Sequence, residues 1–278
     1  MFIVLRLIEP EKRYFKRRKQ IKSVARLPAV ICRETGSLPF CTVDVINGKN
    51  GIIWQNIEAR CGRYASRIVA PRNIALPDGC NLQRFTPSAI ISSLVFNTAK
   101  NTVSSAAPAP DSFVMTVTDR NALSVSRVCE LLPLCSTVRV ITSRPEKYAC
   151  ACEKALNDFG ATLILRASYE PTRKPDIVIC CDGVVCSSMN KAAVFAYKRR
   201  TCGNIRFCGN GINLTEKHKA FLPEGIEPLD FAGALTELCA CSEYSDACFA
   251  ELEISGNVCT DFSAEASVLC HTAGKKVL

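Results

Sequence analysis

Hydrophobic runs of strand length recur between residues 112 and 183, and longer segments with helical spacing separate most of them. The runs are rich in valine, isoleucine and threonine and occupy residues 113–118, 138–142, 162–165 and 176–180. Helices are predicted from about residue 123 to 132 and from 146 to 159. This alternation is typical of a parallel sheet covered by helices, in which ligands bind beyond the carboxyl ends of the strands. The fold class is therefore predicted to be α/β.

The first third of the chain has a different pattern. A strand is predicted at residues 2–7, turn-broken β structure at 28–48 and a short amphipathic helix at 53–61. These elements predict a smaller α+β domain over residues 1–103. A segment rich in serine, alanine and proline, 104–111, is typical of a linker. The remainder, 112–278, is predicted to be the parallel-sheet domain with a C-terminal helical extension.

Charge separates the same two regions. Residues 1–100 contain 17 basic and 6 acidic side chains, a net charge of +11, whereas residues 101–278 contain 18 and 20, a net charge of −2. The predicted N-terminal domain is therefore basic. Such an asymmetry favours a polyanionic partner or an acidic surface.

Much of the positive charge lies in one run, residues 12–22. Its seven basic side chains are Lys12, Arg13, Lys16, Arg17, Arg18, Lys19 and Lys22. One interpretation is a patch that contacts the phosphates of a nucleic acid. The other is a solvated basic face with no ligand.

The chain contains 18 cysteines, yet no two are spaced as C-x-x-C, the pairing typical of structural zinc sites. Several occupy apolar positions of predicted elements, where a reduced cysteine behaves as a small buried hydrophobe. Most are therefore interpreted as reduced core residues, and no metal site is predicted. The strongest alternative metal cluster is Cys239, Cys241 and Cys248.

Polar residues follow the predicted strands at the edge where a ligand would bind. The candidate binding residues are Asp119, Arg120, Ser143, Arg144, Asp182 and Gly183. Residues 142–144 (Thr-Ser-Arg) resemble a cofactor-binding loop of shikimate dehydrogenase-like proteins. Residues 175–179 (Pro-Asp-Ile-Val-Ile) are similar to the fourth strand of dehydrogenase domains.

Residues 111–210 thus resemble the NAD(P)-binding Rossmann-like superfamily, of the shikimate or amino-acid dehydrogenase type. The resemblance implies a cofactor at the sheet edge. It places Arg144 near the 2′-phosphate of NADP and residues 182–183 beside the nicotinamide.

The turn after the first strand departs from that family. Dinucleotide-binding turns are rich in glycine so that the backbone can approach a pyrophosphate, but residues 119–124 contain no glycine and begin with Asp119. The lysine–aspartate pair of shikimate dehydrogenases is not recognisable either, so no catalytic residue is assigned and enzyme activity stays open. The predicted function is binding of a nucleotide or phosphorylated small ligand, as a degenerate NADP-linked oxidoreductase. The alternative is a non-enzymatic binding or regulatory module whose basic N-terminal domain contacts nucleic acid or an acidic partner.

No apolar run approaches the roughly 20 residues that span a bilayer. The apolar N-terminal segment is interrupted by Arg6 and precedes its basic cluster, the reverse of a secretory signal. A cytoplasmic protein without a membrane span is predicted.

Overall fold

A computed structural model of the chain describes residues 1–8, 30–31, 40–46, 52–183, 187–189, 192–197, 205–254 and 257–259. The chain divides into two compact units, Met1–Pro87 with Leu214–Ser242, and Ser88–Asn213 with Glu243–Leu278. The basic run at 12–22 lies outside the described residues, so its nucleic-acid partner stays a prediction.

The strands are numbered in chain order. They are β1 (Phe2–Ile8), β2 (Val30–Ile31), β3 (Phe40–Ile46), β4 (Ile68–Val69), β5 (Val114–Thr118), β6 (Val138–Ile141), β7 (Leu163–Arg166), β8 (Asp176–Cys180), β9 (Ala193–Tyr197), β10 (Ile205–Ile212), β11 (Phe249–Ile254) and β12 (Asn257–Cys259). The α-helices are α1 (Trp54–Cys61), α2 (Ala89–Ala106), α3 (Ala149–Phe159), α4 (Glu216–Lys219) and α5 (Pro228–Cys239). Short 3₁₀-helices occupy Gly62–Tyr64, Val128–Leu131, Pro145–Tyr148 and Ser187–Met189.

The first unit contains a four-stranded sheet in the order β2-β3-β1-β4. Strand β1 is parallel to both of its neighbours, and only β2 is antiparallel to β3. Residues 2–5 of β1 are at most 3% exposed. This burial on both faces is typical of strands in parallel sheets. The expected α+β domain is thus corrected here to a mainly parallel sheet.

The second unit contains an eight-stranded sheet in the order β12-β11-β10-β9-β8-β5-β6-β7. The strands from β5 to β10 are all parallel, and β11 and β12 extend the sheet in antiparallel fashion. Numbered from β5, the parallel strands have the order 3-2-1-4-5-6, which is the order of Rossmann folds. The α/β class with a Rossmann-like parallel sheet is therefore observed.

Helix α2 belongs to the second unit and therefore sets the boundary between the units. Its buried residues include Leu94, Phe96 and Ala99, and the helix packs against β8 and β9. The second unit therefore begins at Ser88, whereas the predicted linker was 104–111. Residues 104–106 of that segment form the last turn of α2.

Two further elements differ from the predicted pattern. The helix expected after β5 is wrong: the segment contains a 3₁₀-helix, Val128–Leu131, and Asp119 accepts hydrogen bonds from the amides of Leu123 and Ser124 in the turn before it. In place of a C-terminal helical extension, α5 belongs to the first unit, while β11 and β12 add strands to the large sheet.

Within the described residues, no helix combines the length and the apolar composition that crossing a bilayer requires.

Candidate functional site

The candidate site lies where β5 and β8 are neighbours, although β6 and β7 separate them along the chain. Chain connections leave in opposite directions at this position, which creates the crevice where open α/β sheets bind ligands. The Thr118 hydroxyl donates to Asp182 Oδ1 at 2.8 Å, and the Arg120 amide donates to Asp182 Oδ2 at 3.3 Å. The turn after β5 is therefore tied to the turn after β8, which continues into Gly183.

Asp119 is the first residue after β5, and it is fully buried. Its carboxylate accepts hydrogen bonds from Leu123 N at 2.8 Å, Ser124 N at 2.6 Å and the Tyr148 hydroxyl at 2.7 Å. All three donors are neutral. Among the residues that the structure describes, no lysine or arginine lies within 4.0 Å of this carboxylate. Asp119 thus holds a buried negative charge by hydrogen bonds alone.

Tyr148 stays a donor over the physiological range. Burial, and next its hydrogen bond to Asp119, raises the pKa of the Tyr148 phenol well above its usual range. Tyr148 ends the 3₁₀-helix that precedes α3. It therefore links the turn after β5 to the segment that follows β6.

A buried thiol lies beside this cluster. Burial raises the pKa of Cys181 to about 12, although side-chain hydrogen bonds with Ser124 and Ser92 oppose the rise. The two serine hydroxyl oxygens are 3.4 Å apart. Because only the thiolate is nucleophilic, Cys181 is not a nucleophile at neutral pH.

Arginines follow three adjacent parallel strands at the same edge. Arg120 follows β5 and its side chain is 61% exposed, and Arg144 and Arg166 are exposed after β6 and at the end of β7. Hydrogen bonds join the three segments that carry these arginines. Ser143 Oγ donates to Arg120 O at 2.9 Å, and Thr142 N donates to Arg166 O at 2.9 Å. The edge thus presents positive side chains in a row.

Arg166 is the member of this row that the sequence analysis missed. It directly follows the apolar run at 163–165, and a residue in that place must lie at the carboxyl edge of a parallel strand. That signal was available in the sequence. The sequence did not show that Arg166 lies next to the segment that carries Arg144, because the pairing of β6 with β7 cannot be deduced from either strand alone.

The turn after β5 offers a different chemistry from a glycine-rich turn. Dinucleotide folds bind pyrophosphate with backbone amides at a helix N-terminus. Here the amides of Arg120, Leu123 and Ser124 donate to Asp182 or Asp119, and residues 119–137 form no α-helix. This edge can therefore recognise an anion with arginine side chains, while those amides are already engaged.

The core interpretation holds for some of the cysteines: six of the 14 that the structure describes are buried, and the other eight are partly or fully exposed. Burial raises the pKa of Cys61 and of Cys135 to about 11 each, which is the behaviour of reduced core thiols. Of the alternative metal cluster, Cys239 and Cys241 belong to the first unit. Cys248 belongs to the second, where its sulfur accepts a hydrogen bond from Asn101 Nδ2 at 3.2 Å.

No protein-family model matches this sequence, and no curated protein matches it. Among solved structures, the crystal structure of L-tryptophan dehydrogenase from Nostoc punctiforme matches with 15% sequence identity and a TM-score of 0.33. The match covers 88% of this chain and 76% of that one. A likeness at this level carries no argument about function, and the fold assignment rests on the strand order.

Proposed function

We propose that the second unit binds a nucleotide or another phosphorylated small ligand at the carboxyl edge of β5, β6 and β8. The residues proposed to line the site are Arg120, Ser143, Arg144, Asp182 and Gly183, with Arg166 as an addition. Asp119 belongs to the same site but is fully buried, so it acts on the ligand through the turn that it holds. The observation that carries the proposal is the row of exposed arginines beside the β5–β8 crevice of a Rossmann-like sheet.

The chemistry of the edge supports an anionic ligand. Guanidinium groups present forked donors that match phosphate oxygens. Arg120 is partly neutralised by Asp182, since its Nε lies 4.0 Å from Oδ2, whereas Arg144 and Arg166 extend the positive charge away from that carboxylate. In this proposal the phosphate lies nearer Arg144 than Arg120.

In its fullest form the proposal includes NADP. An arginine after the second strand is the residue that accommodates the 2′-phosphate in NADP-binding folds, and Arg144 occupies that position. The protein would then be a degenerate NADP-linked oxidoreductase. The residues of this edge assign no hydride acceptor or proton donor, so the proposal is one of binding.

The test is calorimetric titration of the full chain with NADP⁺, NAD⁺, ATP and inorganic phosphate. Arg144→Ala is expected to weaken the best ligand at least tenfold. Arg173→Ala is the matched control, because this exposed arginine precedes β8 and lies at the opposite end of the strands. Equal losses in both variants, or no binding of any ligand, would contradict the proposal.

A second candidate function is nucleic-acid binding through residues 12–22. The observation that favours it is the charge split, +11 in residues 1–100 against −2 in the rest. Binding driven by phosphate contacts weakens steeply as salt rises. A duplex affinity that does not change between 50 and 200 mM salt, a range over which a protein with six to ten phosphate contacts loses about 10³–10⁵ in affinity, would exclude it. So would unchanged affinity after replacing Arg17 and Arg18 by alanine.

A further inference from the structure

Asp119 occupies the position at which a Rossmann-like fold brings its backbone to a ligand diphosphate. The turn after the first strand normally donates its amides to the pyrophosphate. Here the amides of Leu123 and Ser124 donate to Asp119, at 2.8 and 2.6 Å. The side chain of the protein thus supplies the negative oxygens that the ligand would otherwise bring.

From this geometry we infer that Asp119 is a specificity-determining residue, and that the ligand of this edge is a phosphate monoester without a diphosphate bridge. The inference rests on the proposed function, because it concerns the same site. It narrows the ligand class to phosphate monoesters and thereby excludes the NADP form of that proposal.

Charge supports the same conclusion. Asp119 is fully buried and its three donors are neutral, so its charge is poorly screened by solvent. The side chain of Asp182 is only 4% exposed and adds a second carboxylate beside the turn. A diphosphate at this turn would face both carboxylates and gain no amide from Leu123 or Ser124. Like charges in a low-dielectric environment repel strongly.

A monoester phosphate meets neither obstacle. It can bind at the β6–β7 side of the edge, where Arg144 and Arg166 are exposed. That side is also preorganised by Asp119, because Tyr148 donates to Asp119 at 2.7 Å and ends the turn that begins after Arg144. The same carboxylate therefore blocks one phosphate position and supports the other.

The inference can be tested with two ligands that both carry a 2′-phosphate and differ in the diphosphate bridge. Adenosine 2′-monophosphate carries a monoester phosphate alone, whereas NADP⁺ carries that group together with a diphosphate bridge. Titrated into the native chain at one salt concentration, adenosine 2′-monophosphate is expected to bind at least as tightly as NADP⁺. This comparison needs no variant.

Asp119→Asn removes the charge and keeps the size of the side chain. NADP⁺ affinity is expected to rise at least tenfold in this variant. Adenosine 2′-monophosphate affinity is expected to change less than threefold, because the side-chain oxygen of asparagine can still accept the hydrogen bond from Tyr148 that supports the monoester position. Tyr148→Phe is the control, since it removes a hydrogen bond to Asp119 but leaves the carboxylate. It is expected to give no gain in NADP⁺ affinity.

The outcomes separate the two proposals. Native protein that binds NADP⁺ more than tenfold tighter than adenosine 2′-monophosphate overturns this inference and leaves the proposed function standing. An equal gain in NADP⁺ affinity in Asp119→Asn and Tyr148→Phe also overturns it, because the gain would then come from loosening of the turn. Failure of every ligand, phosphate included, overturns the proposed function itself.

Discussion

Two buried polar clusters of the large sheet differ in how a buried charge is compensated. The first pairs Arg139 with Asp176 in a buried ion pair. Thr116 joins them, accepting from Arg139 Nε at 3.0 Å and donating to Asp176 Oδ1 at 2.8 Å. The second is Asp119, whose charge is met by two amides and the Tyr148 hydroxyl. The first cluster is neutral overall, and the second carries a net negative charge.

The two clusters differ in the net charge that they leave in the protein interior. A buried cation and anion that pair with one another leave no net charge in their surroundings. Arg139 also holds a loop in place by donating a hydrogen bond to Glu170 O at 2.7 Å. A buried anion held by neutral donors keeps its charge and influences any ligand nearby. Asp119 lies at the carboxyl edge, where ligands bind, and Asp176 begins its strand at the other end. The cluster with a net charge thus lies at the carboxyl edge of the sheet, and the neutral cluster lies at the opposite end of the strands.

The largest effect is expected from breaking the ion pair. Arg139→Met leaves Asp176 buried without its cation and should lower the free energy of unfolding by about 3–5 kcal/mol. Chemical denaturation followed by circular dichroism measures it. The double variant Arg139→Met/Asp176→Leu should recover most of the loss, because no charge remains buried. A single variant that loses less than about 1 kcal/mol would show that the pair is not a buried one.

Tyr148→Phe should have an intermediate effect. Removing a hydrogen bond to a charged group typically costs about 1.5–3 kcal/mol, and the loss should appear in the unfolding midpoint with urea. Thr102→Val is a suitable comparison. Within the part of the chain that the structure describes, the Thr102 hydroxyl donates to one group, the backbone carbonyl of Thr98 in its own helix. If both variants lose equally, the carboxylate partner adds nothing.

Alkaline pH should destabilise both clusters, and a variant separates their contributions. The pKa of Tyr148, next to Asp119, and that of Tyr169, next to Asp176 and Arg139, are both raised, chiefly by burial. Above pH 10 the unfolded chain loses these protons and the folded chain keeps them, so stability falls as pH rises. Each tyrosine adds a slope of about 1.4 kcal/mol per pH unit. Tyr148→Phe should remove its share of the slope measured between pH 10 and 11.

The smallest effect is expected at a surface pair, which provides a baseline for both clusters. Lys100 Nζ lies 2.5 Å from Glu130 Oε2, with side chains 27% and 38% exposed. Burial acts to raise the pKa of Glu130, but hydrogen bonds from Lys100 and Arg127 bring it below its usual value. Stability from this pair is therefore present above the ordinary glutamate pKa and lost as pH falls through the lowered one.

Lys100→Met should thus cost no more than about 1 kcal/mol at pH 7. The difference from the native chain should vanish at acidic pH and shrink in high salt. A loss that persists when Glu130 is protonated would point to packing of the lysine stem instead of charge.

The sequence predicted the parallel sheet well because alternating strands and helices are local patterns. It could not predict the Arg139–Asp176 pair, because these residues are 37 positions apart and meet only when β5 lies between β6 and β8. Asp119 was identified from the sequence as the first residue of a turn without glycine. Its bonds to Leu123 N and Ser124 N were not predicted, because they depend on the path of a turn that was predicted to lead into an α-helix and does not.

The strand order also sets the order in which the sheet can assemble. Strand β5 pairs with β6 soon after it in the chain, but its other neighbour, β8, brings Asp176 to Thr116 across 60 residues. Loop-closure entropy makes such distant parallel pairing slow. We therefore expect β5, β6 and β7 to pair before β8 pairs with the other edge of β5. Refolding of this unit should therefore be limited by the pairing of β5 with β8.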